Sequence, residues 1–258
     1  MLFAIDIGNS NVVIGLWDGE EWRHVWRLPT RATDDTTVYY ETRLQDLLLE
    51  NGIRPSRHDR AIISSVVPVL TTPFEKLFGQ FLAGPVTRVH PTLYTGLSFR
   101  INRPNEIGTD LLCNAVAARQ LYQSNVIVVD FGTALTFTTC TLQGEILGVS
   151  ILPGLKTAIS ALFQKTAQLP EVPLVLPPSV LGTNTTQAIQ SGVLMGYVGL
   201  VRHMLAAIRE EAGPDFLAVG TGGLSSVLHP LEEDFDHINP QLTLEGLRLI
   251  DAHVAGMA

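Results

Sequence analysis

The sequence predicts an α/β protein in which one structural unit occurs twice. A short apolar strand ending in Asp-x-Gly opens each half of the chain, at Asp6 and again at Asp130, 124 residues later. In both halves a polar turn and two more strand-like segments follow that aspartate, and helical segments come after them. Asp-x-Gly alone is common, but matching strands on both sides of it are not. The repeat therefore indicates a duplicated unit.

The first half combines a strand meander with alternating helices and strands. Strands are predicted at residues 2–7, 12–17, 22–28, 61–67 and 86–89. Helices are predicted at residues 37–51, 73–82 and 107–122. In the first of these helices Leu44, Leu47 and Leu48 recur at helical spacing, and Gly52 follows as a stop signal. The continuous Ile- and Val-rich run at 61–67 is typical of a central parallel strand.

The second half repeats this order with longer helices. Strands are predicted at residues 126–129, 135–141, 145–152 and 216–221. Helices are predicted at residues 155–166, 185–213 and 242–254. Four prolines between residues 170 and 178 indicate an extended or looped segment. No low-complexity linker separates the halves. From the repeat, the predicted domains are residues 1–122 and 123–258.

Composition bounds the class of protein. The chain has 258 residues, enough for one large domain or two modest ones, with 46% apolar and 16% charged residues. That apolar content excludes disorder as the dominant state. The formal net charge of −8 disfavours nucleic acid and anionic membranes as partners, because both would be repelled.

The cysteines and the first residues exclude other classes. Cys113 and Cys140 form no C-x-x-C pair, which disfavours zinc binding, thioredoxin-like chemistry and a disulfide framework. No basic segment precedes the first apolar run, so a signal peptide is not expected. No apolar stretch of about 18 residues is uninterrupted, so no membrane span is expected either. We therefore expect a cytoplasmic protein.

Glycine-containing turns at strand ends are candidates for nucleotide binding. The turn that begins at Asp6 offers a carboxylate, a glycine and backbone N–H groups, which suit Mg²⁺ and phosphate. The alternative is an ordinary hairpin turn. Asp130-Phe-Gly-Thr and Gly220-Thr-Gly-Gly add two comparable turns, and together the three favour a nucleotide cleft between the halves. No Walker P-loop is present, and no G-x-G-x-x-G opens a helix after the first strand.

Asp110 lies near the start of a predicted helix. An aspartate there is most often a cap or a partner of the helix dipole. It would also suit a general base that accepts a proton from a hydroxyl attacking a phosphate. Ser64 and Ser65 lack a G-x-S-x-G frame, which disfavours a hydrolase nucleophile. The seven histidines are scattered and predict no metal site.

Several motifs occur together in one order along nearly the whole chain. They are Asp6-Ile-Gly-Asn-Ser-Asn, Ser64-Ser-Val-Val-Pro68, Thr95-Gly-Leu97, Pro104-Asn-Glu-Ile-Gly-Thr-Asp110, Asp130-Phe-Gly-Thr-Ala134, Ile151-Leu-Pro-Gly154, Gly182-Thr-Asn-Thr185, Ile189-Gln-Ser-Gly192 and Thr221-Gly-Gly-Leu224. With these motifs the chain resembles the type III pantothenate kinases of the acetate and sugar kinase/Hsp70/actin superfamily. The resemblance implies two ribonuclease H-like (actin-like ATPase) halves with a nucleotide cleft between them. It also implies phosphorylation of pantothenate by ATP, the first step of coenzyme A synthesis.

The resemblance also implies roles for individual residues. The ATP phosphates would be held by Asp6, Ile7, Gly8, Asn9, Ser10, Asn11, Val12 and Val13, with Thr133 as a second contact. Asp6 would serve Mg²⁺ through water, Asp130 would bind a monovalent cation, K⁺ or NH₄⁺, and Asp110 would be the general base. The substrate loop would comprise Gly108, Thr109, Asp110 and Leu111. Thr185 would reach the substrate site of the neighbouring subunit in a homodimer.

The chain departs from the family pattern at two substrate positions. Leu111 stands where the family has an arginine that contacts substrate, and Ile101 stands where a tyrosine lines the pocket. Losing one charge-assisted bond to an anionic substrate would cost about 1.5–3 kcal/mol. Arg100 or Arg103 would replace the charge, or the acceptor differs, or turnover is weak. The alternatives are thus a kinase for another small alcohol and a weakened nucleotide-binding regulator.

Overall fold

The computed structural model describes residues 1–33, 36–56, 58–223 and 229–256. The strands are β1 (Leu2–Ile7), β2 (Asn11–Trp17), β3 (Trp22–Pro29), β4 (Arg60–Ser65), β5 (Val86–Arg88), β6 (Ser98–Phe99), β7 (Asn125–Phe131), β8 (Ala134–Cys140), β9 (Glu145–Pro153), β10 (Phe216–Thr221) and β11 (His237–Ile238). The helices are α1 (Thr36–Glu50), α2 (Pro68–Phe81), α3 (Thr109–Tyr122), α4 (Leu155–Lys165), α5 (Thr185–Gln190), α6 (Gly196–Ala212) and α7 (Leu242–Val254). A π-helical turn, Ser191–Met195, joins α5 to α6, and 3-10 turns lie at Pro104–Glu106 and His229–Asp234.

The first sheet has the strand order β3-β2-β1-β4-β5. β1, β2 and β3 form the antiparallel meander, whereas β4 pairs parallel to β1 and β5 pairs parallel to β4. Strand residues alternate between the two faces of a sheet. Phe3, Ile5 and Ile7 enter the hydrophobic core that α1 and α2 cover, so Asp6 lies on the opposite face.

The second sheet, β11-β10-β7-β8-β9-β6, repeats this topology. β7, β8 and β9 form the meander, β10 and β11 are the parallel strands, and β6 is added at the edge beside β9. Asp6 pairs with Val13 on β2 and with Ser64 on β4. Asp130 pairs with Thr136 on β8 and with Thr221 on β10. The two aspartates thus occupy equivalent positions, and the predicted duplicated α/β fold is confirmed.

The chain divides into two compact units that are interleaved along the sequence. The first unit comprises Met1–Thr95, Arg103–Ala117 and the chain from Thr243 onward, and the second comprises Gly96–Asn102 and Ala118–Leu242. These units differ from the linear halves 1–122 and 123–258 chiefly because α7 joins the first unit. Its Glu245 accepts a hydrogen bond of 2.5 Å from the Trp22 indole, and its Asp251 pairs with Arg60 at 2.5 Å.

Most predicted elements are present, with shifted ends. α2 begins at Pro68, five residues before the predicted start, because Pro68 occupies the first turn of the helix and Pro73 is tolerated inside it. The two-residue strands β6 and β11 were not predicted. Leu224, the last residue of one quoted motif, lies outside the described residues.

The helix predicted at residues 185–213 is present as the segment Thr185–Ala212, with a π-helical turn inside it. By length and composition alone it is apolar enough to cross a membrane. Ile189, Val193, Val201 and Leu205 nevertheless pack into the core of the second unit. Because these residues pack into a protein core, the length and composition of the segment are only weak evidence that it spans a membrane.

Candidate active site

The carboxyl end of β1 presents a turn to solvent. Asp6 is half-buried, and its Oδ1 atom is fully covered. The Gly8 N–H donates to the Asn11 carbonyl at 3.0 Å, which closes the turn and leaves Asn9 and Ser10 exposed. Ile7 and Val12 are buried in the core of the first unit. Of the predicted phosphate-binding stretch, those two residues have only backbone to offer, and the turn itself is the accessible part.

Asp110 lies in the first turn of α3. Its Oδ1 accepts a hydrogen bond of 2.9 Å from the Leu111 N–H, at the helix end where the backbone dipole favours negative charge. A Cβ on Gly108 would overlap that same oxygen, so a side chain there would make the Asp110 carboxylate shift. Desolvation raises the pKa of Asp110 above its usual value, and hydrogen bonds from the backbone oppose the rise. A carboxylate with a raised pKa is a better general base near neutral pH.

Cys113 is fully buried one turn into α3. Burial raises the pKa of the Cys113 thiol well above its usual range, and the charges of Asp6 and Asp110 raise it further. Thr109, at the start of α3, contacts Ser64 on β4, the strand that pairs with β1.

A hydroxyl network fixes this arrangement. Thr109 Oγ1 lies 2.9 Å from Ser64 Oγ and accepts a hydrogen bond of 3.1 Å from the Ser65 N–H. Ser65 Oγ in turn accepts one of 2.9 Å from Thr71 at the start of α2. Because Ser64 pairs with Asp6 across β4 and β1, the network ties the start of α3 to the strand beside Asp6. The Thr109 hydroxyl is thus part of this network, and contact of Thr109 with substrate stays a prediction.

In the second unit, glycines surround Asp130. Gly222 has a φ of +94°, and a Cβ there would stand 2.5 Å from Asp130 Oδ1. A Cβ on Gly132 would lie 3.6 Å from the same atom. These two glycines therefore allow the backbone to approach the Asp130 carboxylate closely. Thr133 is exposed, and its carbonyl accepts hydrogen bonds from Gly154 at 3.0 Å and Thr157 at 2.7 Å, which holds the turn in place.

The residues expected to contact substrate belong to different elements of the chain. Thr185 is exposed at the first turn of α5, after Asn184, whose side chain caps the helix. Leu111 is only 6% exposed and packs inward, so its position offers no polar group. Arg100 pairs with Glu145 at 3.3 Å and Arg103 with Glu106 at 2.8 Å. Both pairs are exposed, and such pairs hold a side chain only weakly. Ile101 follows β6 within the second unit.

In the described parts of the chain, no group of three or more His, Cys, Asp or Glu residues is placed to hold a metal ion. Side chains alone therefore form no metal site there. Mg²⁺ that arrives with a nucleotide needs fewer protein ligands, since phosphate and water supply most of its oxygens. Asp6, a half-buried carboxylate beside an exposed turn, is the kind of group that serves Mg²⁺ through water. The binding of a monovalent cation at Asp130 stays a prediction.

Comparison with known proteins decides the family. The sequence model of type III pantothenate kinase matches residues 2–207. The chain belongs to the type III pantothenate kinase family. A type III pantothenate kinase from Thermomicrobium roseum is 42% identical over 248 residues, covering 96% of this chain and 95% of that protein. One from Dehalococcoides mccartyi is 39% identical over 252 residues and covers 96% of both chains.

Solved structures agree with the fold at low sequence identity. A putative 2-dehydro-3-deoxygalactonokinase from Sinorhizobium meliloti superposes with a TM-score of 0.61 at 14% identity, covering 100% of this chain and 98% of that one. At this identity the likeness concerns the fold alone. Together with the duplicated strand order, it supports the actin-like ATPase class that the sequence predicted for this member of the type III pantothenate kinase family.

Sequence reasoning missed the groups that hold the site together. Thr30, at the end of β3, donates to two carbonyls of the Gly8–Asn11 turn. Cys113 and Gly246 lie where α3 meets α7, and a Cβ on Gly246 would overlap the Cys113 carbonyl. The β2–β3 register places Thr30 beside Ser10, which a hairpin alignment would have indicated. No local pattern marks the contact between Gly246 and Cys113.

Proposed function

We propose that this chain transfers the γ-phosphoryl group of ATP to the primary hydroxyl of pantothenate, giving 4'-phosphopantothenate for coenzyme A synthesis. The position of Asp110 supports the proposal, because its neighbour Thr109 bonds to Ser64, which pairs with Asp6 at the strand that leads into the turn. The family membership supports the same reaction. We place it in the cytoplasm, where ATP and the alcohol are available, with no nucleic acid or membrane as a partner.

The residues of the first unit divide the work of the transfer. Asp110 accepts the proton of the pantothenate hydroxyl as its oxygen attacks the γ-phosphorus. A new O–P bond forms, the bond to the β,γ-bridging oxygen breaks, and its electron pair leaves with ADP. Backbone N–H groups of the turn after β1 bind the phosphates, except that of Gly8, which donates to the Asn11 carbonyl. Mg²⁺, held near Asp6 through water, would neutralise the charge on the transferred phosphate.

Two residues of this chain bear on which alcohol accepts the phosphoryl group. Leu111 is buried and Ile101 is apolar, an observation that favours a kinase for another small alcohol as the second candidate. A coupled ADP-release assay should give the highest kcat/KM with pantothenate among related alcohols. A higher value with an alcohol that lacks the carboxylate would favour the second candidate. ATP binding without turnover on any alcohol would favour a regulator.

We expect activity to require K⁺ or NH₄⁺. Asp130 matches the monovalent-cation ligand that the resemblance to the family implies. ADP release should therefore be faster in K⁺ than in Na⁺ at matched ionic strength. In Gly222→Ala the new Cβ would crowd Asp130 Oδ1 and would also lie 2.7 Å from the Phe131 backbone N, so this variant should need more K⁺ for half-maximal rate.

Gly213→Ala is the matched control for the cation site. Gly213 also has a positive φ, +120°, but a Cβ there meets nothing within 4 Å. It therefore carries a similar backbone strain without crowding Asp130. Equal rates of the unmodified chain in K⁺ and Na⁺ would contradict the site. Equal K⁺ requirements of the two glycine variants would show that strain, rather than crowding, causes the effect.

We also propose a homodimer in which Thr185 completes the neighbour's substrate site. Thr185 is exposed at a helix start, and the segment before it carries exposed Val180 and Leu181. Sedimentation should give about twice 28.1 kDa at micromolar concentration. Mixing an inactive Asp110→Asn chain with an inactive Thr185→Ala chain should restore part of the activity, because one hybrid site regains both groups. A fully active monomer would contradict the shared site.

A further inference from the structure

The turn after β1 is hydrogen-bonded to Thr30, the residue that directly follows β3. Thr30 follows Pro29, the last residue of β3, and makes two hydrogen bonds to the turn. Its backbone N–H donates to the Ser10 carbonyl at 3.0 Å, and its Oγ1 donates to the Gly8 carbonyl at 2.6 Å. Two turn carbonyls, on either side of Asn9, are thus directed towards one residue.

Peptide geometry gives this contact a consequence for anion binding. In a trans peptide the C=O and the following N–H point in opposite directions. Fixing the Gly8 carbonyl towards Thr30 therefore turns the Asn9 N–H away from Thr30. The Asn11 N–H instead faces β1, on the same side as the Asn11 carbonyl that accepts from the Gly8 N–H. Backbone N–H groups oriented outward from a turn form a site for anions such as phosphate. Exposure of Asn9 leaves its N–H accessible to a ligand.

We infer that Thr30 is a positioning residue for ATP: its hydroxyl orients the Gly8–Ser10 turn for the phosphates without touching them. The inference rests on the proposed role of this turn in phosphate binding. The hydroxyl, rather than the backbone, is the group that can be removed selectively. It also lies on the far side of the turn from the Asn9 N–H, so its loss would act through the orientation of that group.

The experiment compares three variants by equilibrium binding of ATP and of adenosine. Thr30→Val keeps the branched shape and the backbone bond to Ser10 but removes the bond to Gly8. We expect its ATP dissociation constant and its KM for ATP to rise about 3- to 10-fold, the effect of one neutral hydrogen bond. Adenosine binding and the KM for pantothenate should stay unchanged. Thr30→Ser retains the hydroxyl and should restore ATP binding.

Thr36→Val is the matched control. The buried Thr36 hydroxyl also donates to backbone carbonyls, of Thr33 at 2.6 Å and Arg31 at 3.1 Å, but it does not contact the turn. This variant should lose stability and keep the ATP dissociation constant. An equal loss of ATP affinity in Thr36→Val, or none in Thr30→Val, would overturn the inference.

A second measurement separates the inference from its premise. In the unmodified chain labelled with ¹⁵N, ATP should shift the amide signal of Asn9 more than adenosine does. If ATP does not shift this signal, the phosphate-binding role of the turn is wrong and the inference falls with it. If ATP shifts it equally in the unmodified chain and in Thr30→Val, with equal affinity, only the role of Thr30 is wrong.

Discussion

Asp110→Asn is expected to lower kcat by about 10²–10⁴-fold, because asparagine cannot accept the proton of the attacking hydroxyl. The protein should stay folded, since the amide matches the carboxyl in shape and the site lies at the start of α3. The KM values for ATP and pantothenate should change much less than kcat. Steady-state ADP release at saturating substrates, with circular dichroism as the check on folding, measures the effect.

Two further measurements sharpen this prediction. Glu106→Gln, four residues earlier in an exposed ion pair with Arg103, should leave kcat unchanged. Burial raises the pKa of Asp110, so the base form should be lost at a higher pH than the value of about 3.9 for an exposed aspartate. The acid limb of kcat/KM should lie correspondingly higher. A kcat near normal in folded Asp110→Asn would remove this residue from the role of base.

The same pKa shift links Asp110 to stability. The folded state binds the Asp110 proton more tightly than the unfolded state does. The contribution of Asp110 to folding is therefore fully present below the unfolded pKa and is lost as pH rises through the folded pKa. Asp110→Asn should remove this part of the pH dependence, measured as the free energy of unfolding in urea.

Gly246→Ala is expected to destabilise the protein by about 1–3 kcal/mol or more, the cost of forcing a group into packed backbone. A Cβ on Gly246 would overlap the Cys113 carbonyl and lie 2.7 Å from the Cys113 Cα. The neighbours are backbone atoms of α3, so no rotamer change relieves the clash. Helix propensity favours alanine by about 1 kcal/mol and offsets only part of this cost. The midpoint of urea unfolding should fall.

Gly79→Ala is the matched control in the same unit. Gly79 lies in α2, is exposed, and a Cβ there meets nothing within 4 Å. This change should be neutral or stabilising by up to about 1 kcal/mol. We also expect kcat to fall in Gly246→Ala, because Cys113 lies one turn from Asp110. Equal stability of the two variants would show that α3 and α7 do not pack as closely as described.

The sequence was sufficient for the periodic parts of the fold. Strands such as β1 and β7 are continuous apolar runs, and the repeated Asp-x-Gly at their ends predicted two matching sheets. Two-residue strands such as β6 and β11 have no period to detect. The start of α2 at Pro68 was missed because Pro73 suggested a boundary, although proline also occurs inside helices whose packing compensates for the lost hydrogen bond.

The motifs placed Asp6 near the end of a strand and Asp110 in the first turn of a helix, and both residues lie in those elements. That the two act in one site stays a prediction. Thr109 shows the limit of local reasoning. Its hydroxyl bonds to Ser64, 45 residues away, and that contact depends on how α3 meets β4. Gly246 is similar, because a glycine inside a helix gives no indication of the backbone that lies against it.

The packing of α7 on the first unit has a consequence for synthesis on the ribosome. Strands β1–β3 leave the exit tunnel early. Trp22 can bond to Glu245, and Arg60 can pair with Asp251, only after α7 has been synthesised. The first unit to be translated is therefore the last to be completed. A nascent chain stalled before α7 would expose one face of its first sheet to chaperones and proteases. Deleting the last helix would damage the start of the protein rather than its end.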